Sequence, residues 1–208
     1  MSTIKLYRHA LSGHSHRAEL FLSLLGLEAD IIDVDLASGA HKQPEFLKKN
    51  VFSQVPVLED GAITIADSNA ILVYLATKYD ENRTWLPVDA IEAAQTQRFL
   101  SVAAGPIAFG PAVARLVTAF GVDLDQDNAI KIAHGVLSAL EAHLDGRDWL
   151  VRQQPTIADV ANYTYIAHAP EGNVSLEGYP NVKAWLRRIE ALPGFVAMQE
   201  TAVGLKAV

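Results

Sequence analysis

The chain has 208 residues, enough for one large domain or two small ones with a sizeable core. Half of the residues are apolar, a fifth are charged, and the net charge is -7. This is ordinary globular composition, without the basic face that nucleic acid or an anionic membrane demands. There are no cysteines, so disulfides, thiolate metal sites and a cysteine nucleophile are excluded.

The start, Met1-Ser-Thr-Ile-Lys-Leu-Tyr7, lacks the apolar core of a secretory signal, and a cytoplasmic location is expected. Ile4-Lys-Leu-Tyr7 alternates like a strand. Leu20, Phe21, Leu24 and Leu25 then recur at helical spacing, and Gly26 is a natural stop. Asp30-Ile-Ile-Asp-Val-Asp-Leu36 reads as a second strand, which a right-handed crossover sets parallel to the first. Pro44 suits the first position of a short helix running through Lys49. Two further strands meet at Asp60-Gly61, a tight-hairpin signal, and a helix follows from Ser68 to Tyr79. The order is β-α-β-α-β-β-α over residues 1–80.

Residues 81–88 break the pattern and read as a linker. Residues 89–208 read as helical throughout, with stops at Gly121, Gly146, Pro155, Pro170, Gly178 and Pro193-Gly194. Pro106 and Pro111 fall inside a helical stretch, which should kink or break there. No apolar run reaches the roughly 18 residues of a membrane span. The fold class is an α/β domain followed by an all-α domain.

Pro56 stands inside the third predicted strand, where a missing N–H interrupts the ladder. A cis Val55–Pro56 bond would instead turn the N–H and C=O of Val55 outward, free to pair with an extended peptide. A trans edge-strand proline is the other reading. Asp67-Ser68 follows at the start of the next helix. Ser68 and the free N–H groups there suit a carboxylate, and Asp67 suits an ammonium. A plain helix cap explains the same pair.

Taken together, Gln54-Val55-Pro56-Val-Leu-Glu-Asp-Gly, then Asp67-Ser68-Asn-Ala-Ile, resembles the glutathione-binding half of a soluble glutathione transferase. Upstream, His41-Lys42-Gln-Pro-Glu-Phe-Leu47 and Asn50 are similar to the phi- and theta-like pattern. Downstream, Thr156-Ile-Ala-Asp159 resembles the family's buried capping box. The resemblance spans essentially the whole chain and points to the bacterial, serine-type branches. It implies a thioredoxin-like first domain, a helical second domain that bears the electrophile site, and a two-fold homodimer. It also implies glutathione as co-substrate, with no metal, no nucleic acid and no membrane partner.

By that resemblance Val55 pairs with the cysteinyl backbone of glutathione, and Asp67 and Ser68 hold its γ-glutamyl end. His41, Lys42 and Gln54 take the glycyl carboxylate. Two departures stand out: Asp67 where the family often has Glu, and Asn50-Val51 where it often has Asn-Pro. The thiol needs activation, because an alkyl thiol with pKa ~8.5 is mostly protonated at pH 7. The donor belongs in the loop Tyr7-Arg-His-Ala-Leu-Ser12-Gly-His-Ser15-His-Arg17, whose S-x-x-S-x-R resembles the zeta- and theta-like serine pattern. Ser12 is the first candidate, Ser15 the second and Tyr7 the third. A Ser-His hydrolase built on Ser12, His14 and Ser15 lacks the G-x-S-x-G elbow. His14 and His16 lack a third metal ligand at a supportive spacing.

The resemblance places the second substrate against Pro106, Phe109 and Arg115, with Tyr165 and His168 on a later helix; core packing competes for each. Phe52 is expected either inside its own subunit or wedged into a partner. Thr156 and Asp159 are read as structural, and Asp159→Ala is expected to cost ~1–2 kcal/mol. Conjugation of small electrophiles is the leading activity. Glutathione-dependent isomerisation, disulfide reduction and a non-catalytic binding module are the alternatives. The isomerising zeta branch typically carries S-S-C-S where Ser12-Gly-His-Ser15 stands.

Overall fold

The structure is a computed structural model and describes residues 4–205. Strands β1 (Ile4–Arg8), β2 (Ala29–Asp33), β3 (Val57–Asp60) and β4 (Ile63–Ala66) form one sheet in the order β2-β1-β3-β4. The β1–β2 pair is parallel, joined by helix α1 (Gly13–Leu24), whereas β3 runs antiparallel to both β1 and β4. Asp60 pairs with Ile63, leaving Gly61 and Ala62 as a two-residue loop led by a glycine at φ 62°.

The pleat sorts the side chains. Ile4, Leu6 and Leu58 face a core shared with α1 and with α3 (Ser68–Tyr79). Val57 and Tyr7 face the other way, onto Phe46 of the short α2 (Pro44–Leu47), with the Tyr7 and Phe46 rings edge-on at 6.5 Å. Pro44 occupies the first turn of α2, where its missing N–H costs nothing.

The rest is helical: α4 (Ala90–Ala104), α5 (Val113–Phe120), α6 (Gln126–His143), α7 (Ile157–Ala167) and α8 (Pro180–Glu190). The stretch from α3 to α4 is tied down, since the Trp85 N–H donates to Asp80 Oδ2 at 2.6 Å and the Trp85 ring meets Phe21 edge-on at 5.4 Å. The expected break falls between α4 and α5, where residues Ala108–Ala112 form one π turn around Pro111.

One correction to the sequence reading lies here. The stretch Ala90–Phe120 holds a window of mean hydropathy 1.5, apolar and long enough by composition to cross a membrane. In the fold 44% of that window is buried inside the protein, against α6 and α7.

Helix α7 is buried on all sides from Ile157 to Ile166, which makes it the axis of the helical half. Its outer turns touch α1. His16 Nε2–H donates to the Val196 carbonyl at 2.8 Å, and its Nδ1 accepts from the Thr164 hydroxyl at 2.9 Å. Burial pulls His16 down to about 4, so this bridge between the halves is neutral at physiological pH.

Candidate functional site

A cavity of about 670 Å³ opens along the edge of the sheet. Its wall carries Gln54, Val55 and Pro56 before β3, and Asp67 and Ser68 at the start of α3. His41 joins them from the segment before α2. The Val55–Pro56 bond is cis. Among the described residues, the N–H and C=O of Val55 engage no hydrogen bond. The loop before it is pinned by Asn50, whose Nδ2 donates to the Gln54 carbonyl at 2.9 Å while its Oδ1 accepts from the Phe52 N–H.

Asp67 adopts φ 78°, an unusual conformation for a non-glycine residue. That turn lets its Oδ1 accept from the Ala70 N–H at 2.9 Å, capping α3, and leaves the residue exposed at the cavity rim. Ser68 is 3% exposed, and its Oγ accepts from Arg17 Nη1 at 2.8 Å. His41 Nδ1 is buried and has no partner among the described residues.

Not every expected residue lies on this wall. Lys42 is exposed beside it, and the wall carries Lys49 instead. The Lys49 ammonium pairs with Glu59 and sits over the Tyr7 ring at 4.7 Å. Tyr7 donates to Glu59 Oε2 at 2.9 Å, so its hydroxyl is committed to structure.

Ser12 caps α1: its Oγ accepts from the Ser15 N–H at 3.3 Å, and its own N–H donates to the His9 carbonyl at 2.9 Å. It is half-buried and does not line the cavity; from this loop it is His14 that reaches the wall. Ser15 is fully buried, with Oγ accepting from the His9 N–H at 3.2 Å.

Two residues to which sequence reasoning gave no part in glutathione binding shape this corner. His14 Nδ1 faces the Ser68 hydroxyl at 3.4 Å and Arg17 Nη1 at 3.5 Å, both donors. The ring proton is therefore assigned to Nε2, which has no partner among the described residues. Burial first, and the Arg17 charge second, pull His14 down to about 3, so the imidazole is neutral. Arg17 lies behind it, 1% exposed. In the sequence Arg17 closed the S-x-x-S-x-R pattern and His14 was weighed only for hydrolase and metal chemistry.

Tyr165 comes from α7 to the same helix end. Its ring covers Gly13 so closely that an added Cβ would sit 2.7 Å from it, which is why glycine stands there. The ring also meets His14 edge-on at 5.0 Å. Burial pushes the phenol up, while Arg17, Arg115, the His14 backbone N–H and the Ser12 hydroxyl pull it down. The other four residues expected against the second substrate are dispersed. Pro106 lines a separate apolar groove of about 380 Å³ between α4 and α6, and Phe109 is 63% exposed.

Arg115 is buried in an ion pair with Glu171, and its Nη1 donates to the Leu11 carbonyl at 2.8 Å. It supports the Ser12 loop from beneath, and its 2% exposure and its pairing with Glu171 correct the expectation of a substrate contact. Burial pushes Glu171 up, but Arg115 and the Thr201 donors outweigh it and hold it at about 2. His168 serves the same carboxylate, with Nδ1 3.2 Å from Glu171 Oε2.

Comparison with known proteins matches both halves. Residues 2–77 fit the family model described as glutathione S-transferase, N-terminal domain, and residues 106–193 the one described as glutathione S-transferase, C-terminal domain. Glutathione S-transferase 3 of Zea mays is 35% identical over 94% of this chain and 92% of that protein. A glutathione S-transferase crystal structure from Pseudomonas fluorescens superposes with a TM-score of 0.89 at 30% identity, covering 96% of this chain and 100% of that one. A glutathione transferase homologue from Drosophila mojavensis, solved with bound glutathione, superposes with a TM-score of 0.81 at 29% identity, over 93% and 90% of the two chains.

Proposed function

Because this chain belongs to the glutathione S-transferase family, we propose that it conjugates the thiolate of glutathione to small hydrophobic electrophiles. The observation that carries the proposal is one cavity joining an unpaired backbone edge at Val55 to a helix start at Asp67-Ser68. The distribution of charge suits the ligand. Glutathione has two carboxylates and one ammonium. Asp67 stands at the rim for the ammonium, and the start of α3 with Ser68 takes the γ-glutamyl carboxylate. Val55 pairs with the cysteinyl backbone beside Pro56. His41 and Gln54, both on the wall, take the glycyl carboxylate, with Lys42 exposed beside them and Lys49 on the wall.

Ser12 donates to the thiolate at the head of α1, with Ser15 behind it in reserve. Phe109 and Tyr165 supply apolar surface to the electrophile. Residues 1–80 form the glutathione domain, 81–88 the linker and 89–208 the helical domain of a soluble cytoplasmic enzyme. The test is absorbance near 240 nm on mixing protein with glutathione near pH 7. A thiolate signal at that pH is expected, because lowering the thiol pKa by ~2 units needs ~2.7 kcal/mol, within reach of one hydroxyl and a helix dipole. Binding without that signal would leave only a non-catalytic module.

We further propose a two-fold homodimer. Val51 and Phe52 project from the loop before β3, 77% and 78% exposed. The groove between α4 and α6, lined by Phe99, Val102, Pro106, Ile132 and Val136, is apolar and open. Seating Phe52 in a second copy's groove satisfies both surfaces, twice per dimer by symmetry. Burying one phenylalanine contributes ~2 kcal/mol, so Phe52→Ser is expected to weaken the dimer about 10³-fold. Sedimentation equilibrium reads this directly; an unchanged dimer constant would remove Phe52 from the interface.

A further inference from the structure

Arg17 is a cation held out of water. It sits on α1 with 1% of its surface exposed. Its Nη1 donates to Ser68 Oγ at 2.8 Å and to Asn69 Oδ1 at 2.9 Å. Its Nε and Nη2 are buried and have no partner among the described residues. No carboxylate lies within ion-pair distance of it among those residues. Asp67 acts on it only through space. Burial pulls Arg17 down to about 10, so it still carries its charge at neutral pH.

A buried charge without a counter-ion opposes folding, and a well-packed apolar side chain at such a place is often neutral or stabilising. The direction of Nη1 shows what the charge serves. It points at the first two residues of α3, the helix end whose free N–H groups open onto the cavity. With the Arg17 N–H occupying one lone pair of Ser68 Oγ, the serine hydrogen is left to donate, to His14 Nδ1 or to a ligand.

We propose that Arg17 is the stored counter-charge for the α-carboxylate of the γ-glutamyl residue, acting through the Ser68 hydroxyl and the α3 N-terminus. The inference rests on the glutathione reading above. Arg17 touches no ligand; it is a positioning residue. In the free protein its charge has no contacting counter-ion among the described residues, only the through-space pull of Asp67. In the complex one hydroxyl separates it from a carboxylate, and the pair completes itself across Ser68. The charge therefore counts against the free fold and in favour of the complex, two effects of opposite sign that a purely structural arginine would not produce.

The experiment titrates glutathione, and the same tripeptide lacking that carboxylate (4-aminobutyryl-cysteinyl-glycine), into wild type, Arg17→Met and Arg17→Lys by calorimetry. The melting temperature of each free protein is recorded alongside. Arg17→Met is expected to bind glutathione about 30-fold more weakly and the analogue within about threefold of wild type. Its free form should melt no lower than wild type, and Arg17→Lys should recover part of the glutathione affinity. Equal weakening of both ligands, unchanged glutathione binding, or a methionine variant that cannot fold would each overturn the proposal. In those outcomes wild type still binds glutathione. Wild type binding neither ligand would instead defeat the glutathione reading itself, and this inference with it.

Discussion

Asp159→Ala is expected to destabilise the protein by about 3–5 kcal/mol, more than the loss of a helix cap. The carboxylate is 1% exposed and accepts four donors. Oδ2 takes the Thr156 N–H at 2.8 Å and the Thr156 hydroxyl at 3.3 Å, closing the capping box of α7. Oδ1 takes the Leu150 N–H at 3.0 Å and Nε1–H of the fully buried Trp185 at 2.9 Å. Burial pushes the carboxyl above the ordinary range, and those four donors pull against it. Each buried donor left unmatched costs about 1–3 kcal/mol, and losses inside one network do not simply add. The alanine also leaves a small void beside Trp185. Asp159→Asn is expected to recover little, since its amide turns two hydrogens toward donors. Urea unfolding followed by tryptophan fluorescence measures the loss. A change below about 1 kcal/mol would mean that Asp159 holds nothing beyond its own helix turn.

The sequence reading put this loss at ~1–2 kcal/mol because only the local half of the network has a local signature. Thr156 and Asp159 are three apart, and a capping box is written in that spacing. Leu150 and Trp185 lie in other segments, and nothing in their own neighbourhoods marks them as partners. The same division runs through the fold. Asp60-Gly61 fixes its hairpin, Pro44 its helix start and Gly26 its stop through backbone geometry alone, so these were legible. Strand β2 ends at Asp33 rather than Leu36 because its partner runs out: the Val34 N–H still donates to the carbonyl of Arg8 at 2.7 Å, and Arg8 is the last residue of β1.

The candidate site divides likewise. Val55-Pro56 and Asp67-Ser68 were legible because each is a short motif. Arg17, His14 and Lys49 were not, because their roles depend on which side chain from elsewhere meets them: Ser68 for the first two, Glu59 and Tyr7 for the third. Arg115 misled for the converse reason. A cation near a predicted kink resembles a substrate contact until Glu171, 56 residues on, claims it.

The second large effect is chemical. Ser12→Ala is expected to raise the pKa of bound glutathione by ~2 units and to lower kcat/KM by about 10²-fold, the same ~2.7 kcal/mol read in two ways. Affinity measured below pH 6, where the bound thiol is protonated in both proteins, should change less than about threefold. The sign follows from which form the hydroxyl favours. A donor stabilises the thiolate, so removing it moves activity to higher pH and leaves the plateau at alkaline pH largely restored.

Three other hydroxyls compete with Ser12 for this role, and the structure separates their variants. Tyr7 is bound to Glu59, and Ser15 is sealed beneath the His9 N–H. Tyr165 leans over the α1 terminus, close to both the Ser12 hydroxyl and the His14 N–H. Tyr165→Phe is therefore the decisive control. If Ser12 holds the thiolate, the phenylalanine leaves the serine hydroxyl in place, and the thiolate pKa should change little. If the phenol is the donor, the 240 nm signal vanishes in Tyr165→Phe and survives in Ser12→Ala. The Ser12 assignment does not survive that second pattern, and the donor would then come from the helical half of the molecule.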